Sequence, residues 1–286
     1  METAKALRQT LEAWVDDRCS SKGAALAFYT LFAMAPILIL SIAAAGYVFG
    51  AEAAQGAIVA QLRGLMGQSG AQAVEAMLAS ARDPESGLVA TLVAGALLIV
   101  GATTVFVELK DSLDEIWGVE PTKGQGILNF LRSRLLAFGM VLILSFLLLV
   151  SLVMSAALTV LANYAGGFLG SESMALAVFS SLVSLAVVAC LFAVIFKMLP
   201  AVKLSWRDVW IGALFTAGLF SLGKYAIGLY LGNSDVASSF GAAGSLVALL
   251  LWVYYSAQIF FLGAEFTRQY AITCGSLCPR VSKQHL

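Results

Sequence analysis

The sequence predicts an all-α, polytopic membrane protein with six transmembrane helices. Hydrophobic residues make up 60% of its 286 residues and charged residues only 12%, against roughly 25% in an average soluble domain. Long stretches contain no Asp, Glu, Lys or Arg, and a helix needs about 20 apolar residues to cross the hydrocarbon core. The predicted spans are approximately 25–50, 87–107, 136–162, 174–196, 209–232 and 240–263.

The distribution of basic residues predicts that both termini lie in the cytoplasm. With connections assigned alternately to two sides, only Arg63, Arg82 and Lys224 fall on one side, and the other 14 of the 17 Lys and Arg residues share the side of the termini. The positive-inside rule makes that side cytoplasmic. Because residues 1–22 are polar and charged and the apolar run that follows is too long for a cleavable signal, we expect the first span to act as an uncleaved insertion signal.

The segments outside the spans divide the chain into an N-terminal helix, a membrane domain and a tail. Residues 1–22 predict a cytoplasmic interfacial helix, because apolar side chains (Leu7, Leu11, Trp14 and Val15) recur at helical spacing. An equally weighted alternative is a helix packed on the bundle. The membrane domain covers 23–266, including an extracytoplasmic segment, 51–86, and the cytoplasmic tail covers 267–286. In 51–86 we expect two amphipathic helices over the outer face, with a break at Gly67, Ser69 and Gly70.

The residue inventory argues against catalysis. His285 is the only histidine, which excludes a Ser-His-Asp triad and an HExxH zinc site. The four cysteines form no CxxC pair, and a metal site from Cys274, Cys278 and His285 is a minor alternative because three ligands near a tail rarely make a site. No phosphate-binding glycine loop occurs in a suitable context. We predict no enzyme activity, no cofactor and no resident metal.

Lys224 is the most informative candidate site residue. It interrupts an apolar segment that is otherwise free of charge from 209 to 234, and a cation in hydrocarbon is costly unless paired or wetted. Its helical face carries Ala213, Ala217, Ser221 and Gly228, and small residues favour close helix contact. We therefore expect Lys224 to point into the bundle in its outer half. The alternative is that its ammonium reaches outward to the headgroups.

Other candidates lie at span ends or within the first span. Glu108, Glu265 and Lys197 directly follow apolar runs and are interpreted either as boundary charges or as a charged vestibule at the inner mouth of a pathway. Pro36 lies mid-span, where it removes a backbone hydrogen bond and can kink the helix. Tyr29, two turns earlier, could present its hydroxyl to the same interior.

Several segments together are similar to one family. The first span, "ALAFYTLFAMAPILIL", resembles that family's first span, and "DEIWGV" its element after span two. "IFKMLPAVKLSWRDVWIGALF", "GKYAIGLYL" and "FGAAGSLVALLLWVYYSAQIFFLGAEF" resemble its later spans. The order and spacing of these segments resemble the BrkB/YihY family of bacterial inner-membrane proteins over nearly the whole chain. Phe28 and Ala35 depart from its more usual Tyr and Phe, which puts a role for those aromatics in doubt.

The resemblance implies six spans, an inner-membrane location and a function that is poorly defined. Family members were once labelled ribonuclease BN, but this sequence has no histidine pair, no metal cluster and no basic groove for RNA beyond its positive-inside bias. The leading hypothesis is a transporter or lipid-translocating protein with the lipid bilayer and an anionic solute or lipid as partners, and no nucleic acid. The alternative is a non-transporting envelope-maintenance or scaffold protein with 51–86 as its partner surface. Association into a homo-oligomer is left open.

Overall fold

The computed structural model describes residues 2–80, 104–119, 139, 173–202, 204–233 and 244–277. Throughout these ranges the chain is helical with short connections and contains no strand. The helices are α1 (Glu2–Asp16), α2 (Cys19–Phe49), α3 (Ala51–Ser80), α4 (104–116), α5 (Ser173–Met198), α6 (Trp206–Asn233) and α7 (Gly244–Thr273). The prediction of an all-α protein is confirmed for this part of the chain.

Within the described ranges, three helices are long and apolar enough to cross a membrane. The qualifying segments are Ser181–Met198 in α5, Trp206–Tyr230 in α6 and Leu246–Thr273 in α7. They coincide with the last three predicted spans. Helix α2 covers most of the first predicted span, 25–50. The predicted spans 87–107 and 136–162 lie almost entirely outside the described residues.

The segment after the first span differs from its prediction. Instead of two helices with a break at Gly67, Ser69 and Gly70, α3 is one continuous helix from Ala51 to Ser80. It packs against α2 and α7, and its buried side chains include Ala71, Val74 and Leu78. A glycine in a helix costs about 1 kcal/mol relative to alanine, and tertiary packing of this size overrides that cost.

Helix α1 packs on α7, as the bundle-packed alternative for residues 1–22 anticipated. Thr10 is buried, and Trp14 lies against the core that contains Cys19 and Phe261. The apolar stripe expected from the sequence is therefore divided. Trp14 packs against the bundle, whereas the other large apolar side chains of the stripe are exposed: Leu7, Leu11 and Val15.

Helix α7 extends beyond the predicted end of span six and into the predicted tail. Thr267 and Ala271 are fully buried. After Thr273 the chain turns back, and the backbone N–H of Ser276 donates to Asp208 Oδ2 at 3.0 Å while its hydroxyl donates to the same atom at 2.5 Å. Asp208 lies in the first turn of α6, so this contact joins the start of α6 to the end of α7.

Several helix ends meet at this same end of the bundle, which we call the charged end and define by Asp17, Asp114, Asp208 and Arg268. Arg268 near the end of α7 contacts Asp17 at the start of α2. Asp114 near the end of α4 accepts a hydrogen bond from the backbone N–H of Ala201, just after α5, at 2.8 Å. Helices α2 and α6 therefore begin at the charged end, and α4, α5 and α7 finish there.

Helices α6 and α7 approach each other closely through two glycines. A Cβ atom added at Gly212 would lie 1.9 Å from Thr267 Oγ1, and one at Gly263 would lie 1.9 Å from Thr216 Oγ1. Each threonine hydroxyl donates to the carbonyl of the glycine four residues earlier on its own helix, at 2.7 Å and 2.6 Å. Small residues and satisfied hydroxyls of this kind let two backbones pack without polar cost in an apolar environment.

Candidate functional site

Glu265 is the most deeply buried acidic side chain of the described residues, with an exposed fraction of 0%. It lies on α7, two turns before the end of that helix. Its Oε1 faces the thiol of Cys19 at 3.9 Å, and its Oε2 lies 3.8 Å from Arg268 Nη1. An ionised carboxylate at such a position is costly unless it is fully paired. Glu265 is thus enclosed within the bundle.

Two further ion pairs surround Glu265. Arg268 Nη1 lies 3.4 Å from Asp17 Oδ2, and Lys22 Nζ lies 3.1 Å from Glu115 Oε1. The Lys22 side chain is only 11% exposed and also donates to the carbonyl of Asp17. We call Asp17, Cys19, Lys22, Glu115, Glu265 and Arg268 the corner cluster, because it holds the corner between α1 and α2 against α4 and α7.

The corner itself has an unusual backbone. Arg18 adopts a left-handed conformation (φ 50°) between the end of α1 and the start of α2. Such a conformation is uncommon for a residue other than glycine. Burial, and next the neighbouring Glu265, raises the pKa of the Cys19 thiol to about 12, so the thiol stays protonated and acts as a donor.

Two polar side chains of α7, Gln258 and Glu265, face α2 across an otherwise apolar interface. Gln258 is two turns before Glu265 on the same face of α7, and its Nε2 donates to the carbonyl of Ser20 at 3.4 Å. Its Oε1 and Glu265 Oε2 are buried, and neither accepts a hydrogen bond from the described residues. Buried oxygens without a donor are rare in folded proteins and point to a functional role or a bound species.

Lys224 lies on α6, at the border between a buried face and an exposed one. Ala213, Ala217 and Gly223 are buried, whereas Leu222 and Tyr225 are exposed. The ammonium of Lys224 lies 5.4 Å from the centroid of the Tyr225 ring, within cation–π distance. In the described part of the chain no carboxylate pairs with it. Of the small residues expected on the Lys224 face, Ala213 and Ala217 are buried, Ser221 is half-buried and Gly228 is exposed. Lys224 itself is half-buried, so its placement inside the bundle stays a prediction.

Lys197 has a local structural role. It ends α5 and donates to the carbonyl of Leu204, and its ammonium lies 5.4 Å from the centre of the Trp206 ring. These contacts hold the turn between α5 and α6. Whether Lys197 is a boundary charge or part of a vestibule stays a prediction.

Glu108, Tyr29 and Pro36 are not brought into the corner cluster. Glu108 is half-buried on α4, and burial, followed by the neighbouring Asp111 carboxylate, raises the pKa of its carboxyl above the usual 4.5. Tyr29 is half-buried and meets Phe28 edge-on, with ring centroids 5.7 Å apart. Helix α2 continues through Pro36 to Phe49. Of the six sequence candidates, only Glu265 belongs to the cluster.

Sequence reasoning missed five members of the corner cluster. Lys22 and Arg268 were counted only as loop charges, and Cys19 only as a thiol. One local signal was available, because Arg268 follows Glu265 by three residues on a helix. The partners Asp17 and Cys19 are about 250 residues away along the chain, and no local pattern connects them to Glu265. Within the described residues no three His, Cys, Asp or Glu side chains could hold a metal ion; Cys278 and His285 lie outside them.

Comparison with known proteins identifies the family. The model of the family described as "Virulence factor BrkB" matches residues 10–275. A UPF0761 membrane protein of Verminephrobacter eiseniae is 29% identical over 270 residues, which cover 93% of this chain and 61% of the relative. One of Pseudomonas paraeruginosa is 30% identical over 261 residues, covering 88% of this chain and 59% of the relative. No solved structure matches.

The chain spans about three fifths of the length of these curated relatives. The names of these relatives describe membrane proteins, which agrees with the three apolar helices of span length in the described part of the chain. The resemblance drawn from the order of the sequence segments is confirmed by a family match over most of the chain. The protein is a membrane protein and belongs to the BrkB family.

Proposed function

We propose that this protein moves a molecule with an anionic group across the bacterial inner membrane, and that Lys224 binds that group. The observation that carries the proposal is the position of Lys224. It is a charged residue inside the candidate span Trp206–Tyr230, and its ammonium contacts an aromatic ring rather than a carboxylate of the described chain. Ionisable residues within spans usually mark a substrate or ion pathway.

The surroundings of Lys224 favour a lipid headgroup as the anionic group. The side chains beside it on the outer part of α6 are large, apolar or aromatic, and exposed: Leu222, Tyr225, Leu229 and Tyr230. In a bilayer such a surface faces acyl chains. A cation at the border of this surface is reachable sideways from the membrane, and a phosphate group offers an ammonium strong, charge-assisted hydrogen bonds.

The proposal includes six spans with both termini in the cytoplasm. The meeting of helix ends at the charged end supports an even number of crossings between α2 and α7, because α2 begins there and α7 finishes there. The excess of basic residues on the connections at this end supports its assignment to the cytoplasm. Glu108 and Glu265 belong to the same end, with Glu265 enclosed rather than lining an open mouth.

In the alternative hypothesis the protein is a scaffold without transport activity, and the 51–86 segment binds a partner. Burial of Ala71, Val74 and Leu78 against α2 and α7 weighs against it, because that face of α3 is occupied within the chain itself. Deletion of 51–82 would therefore remove part of the bundle as well as a partner surface. A substitution inside the membrane domain, such as Lys224→Ala, tests transport without removing the 51–86 segment.

The test is a translocation assay in proteoliposomes. Purified protein is reconstituted with fluorescently labelled phosphatidylglycerol, and the rate of transfer between leaflets is measured by chemical quenching of the outer one. A parallel assay follows uptake of radiolabelled inorganic phosphate, so that a lipid and a free anion are distinguished. The variants are Lys224→Ala, which removes the charge, and Lys224→Arg, which retains it.

The expected result is loss of lipid transfer in Lys224→Ala and retention of much of it in Lys224→Arg, with equal unfolding temperatures. Transfer of phosphate alone would assign the site to a solute. A wild-type rate in Lys224→Ala would contradict the proposal. Equal losses of activity and thermal stability would assign Lys224 a structural role.

A further inference from the structure

The corner cluster contains one more acidic side chain than its basic residues can neutralise. Lys22 pairs with Glu115, and Arg268 pairs with Asp17, at 3.1 Å and 3.4 Å. Glu265 is the fifth member with a charge. Among the described residues, Arg268 is the one cation within ion-pair distance of it, at 3.8 Å, and that guanidinium is already engaged by Asp17, while Lys22 acts on Glu265 from farther away. With every group ionised, the cluster holds three negative charges and two positive ones.

The excess charge falls on the least exposed member. Glu265 has an exposed fraction of 0% and its Oε2 has no hydrogen-bond partner in the described chain. Its other oxygen, Oε1, has only the thiol of Cys19, a weak donor, at 3.9 Å. Removing one charge from water costs several kcal/mol unless pairing and hydrogen bonds repay it. A single proton on Glu265 Oε2 removes the excess charge and leaves two complete ion pairs.

Asp17 lies beside both Glu265 and Arg268, so two carboxyl groups share one guanidinium. Among the described residues, no further charged group acts on Glu265 beyond Asp17, Arg268 and Lys22. Helix α4 contributes Glu115 through Lys22, and α6 meets this part of α7 with Thr216, while its Asp208 is bonded to Ser276.

We propose that Glu265 is a proton-binding site. It holds a proton on Oε2 while the α1–α2 corner is docked on α7, and releases it to cytoplasmic water when the corner opens. On release the carboxylate stays on α7, and Arg268 becomes free to pair with it in place of Asp17. The corner is suited to such movement because Arg18, its hinge, has a left-handed backbone (φ 50°) that the surrounding contacts must maintain.

This inference is independent of whether Lys224 binds a substrate, and the two fail in different experiments. The direct readout is the infrared C=O stretch of a protonated carboxyl, followed during a pH titration of the purified full chain in lipid nanodiscs. Glu265→Gln removes this carboxyl with almost no change in shape. Glu115→Gln is the matched control, since that carboxyl belongs to the same cluster but its side chain is 68% exposed.

We expect a protonated-carboxyl band in the wild type that disappears in Glu265→Gln and persists in Glu115→Gln. Glu265→Asp keeps a carboxyl and is expected to shift the band, which covers the case in which Glu265→Gln fails to fold. A spectrum unchanged by all substitutions of Glu265 would overturn the proposal. Loss of the band on adding sodium chloride, but not choline chloride, at fixed pH would show that the site binds a sodium ion rather than a proton, and would contradict the proposal.

Opening of the α1–α2 corner can be measured through the reactivity of Cys19, because this thiol is fully buried while the corner is docked. In a chain with Cys190→Ser, Cys274→Ser and Cys278→Ser, alkylation of Cys19 reports exposure of the corner. At one alkaline pH, we expect Glu265→Gln to slow alkylation by about tenfold relative to Glu115→Gln, because a neutral side chain keeps the corner closed. Equal rates in the two variants would contradict coupling between the proton and the corner.

Discussion

At the scale of single residues, the charged side chains where α2, α4 and α7 meet are mostly paired with one another. Arg268 neutralises Asp17 and approaches Glu265, and Lys22 neutralises Glu115. The position of Glu265 at the end of an apolar run is visible in the sequence. The enclosure of its side chain could not be predicted, because its neighbours Asp17 and Cys19 come from the other end of the chain.

Removing the guanidinium of Arg268 should destabilise the protein. Arg268→Ala leaves Asp17 and Glu265 without their shared cation, and an unsatisfied buried group costs about 1–3 kcal/mol. The measurement is thermal unfolding in detergent. Arg8→Ala is the control, because its pair with Glu12 joins side chains that are 83% and 59% exposed, and exposed pairs contribute little. Similar unfolding temperatures for the two variants would show that the corner cluster is not a stabilising contact.

Glu108 should make stability depend on pH. Burial, and next Asp111, raises the pKa of Glu108 above 4.5 in the folded protein. Between the ordinary and the raised value the folded state binds more protons than the unfolded state, so stability falls as pH rises through that window and is level above it. We expect Glu108→Gln to unfold at a higher temperature than wild type at neutral pH and at the same temperature at acidic pH.

Asp111 offers a companion to this test, because burial also raises the pKa of its carboxyl. Asp111→Asn is expected to act in the same direction as Glu108→Gln. A wild-type pH profile in both variants would show that these carboxyls are not held away from water in the folded protein.

At the scale of helices, the sequence predicts how long and how apolar the helices are, but not which helices pack against each other. The bounds of α5 and α6 lie within a few residues of the predicted spans. The glycines at 67 and 70 in α3 were interpreted as a break, but the burial of α3 against α2 and α7 keeps it continuous. Local patterns report propensity, whereas the packing that overrides it depends on partners distant in sequence.

The α6–α7 interface makes two glycines of the same helix behave in opposite ways. Gly212→Ala should destabilise by about 1–3 kcal/mol, because its Cβ would overlap Thr267. Gly218→Ala should leave stability unchanged or raise it by up to about 1 kcal/mol, since nothing lies within 4 Å of its added Cβ. Chemical unfolding of both variants measures the difference. Equal effects would mean that the helices are not closely packed at Gly212.

At the scale of the whole molecule, the contacts of Asp17, Asp208 and Arg268 bring the start of α2, the start of α6 and the end of α7 to one end of the bundle. The sequence predicts this common end from its basic residues, because charge asymmetry reports on the whole topology rather than on local structure. The identity of a substrate does not follow from such global signals, since it depends on the shape and chemistry around one side chain.

The proposed topology is open to labelling with a membrane-impermeant thiol reagent. Cys274 is exposed, just after α7, and is expected to react in inverted membrane vesicles but not in intact spheroplasts. In a chain with Cys190→Ser, Cys274→Ser and Cys278→Ser, Glu52→Cys at the start of α3 should show the opposite pattern. Labelling of both positions from one side would contradict six spans with both termini in the cytoplasm.

The central claim is that an anionic headgroup is carried past Lys224. The most direct measurement compares the transfer of labelled phosphatidylglycerol with that of labelled phosphatidylcholine, in the same proteoliposomes, for wild type and Lys224→Ala. We predict faster transfer of the anionic lipid by the wild type, and loss of that preference in Lys224→Ala. Equal rates for the two lipids in the wild type, or a preference that survives Lys224→Ala, would contradict the claim.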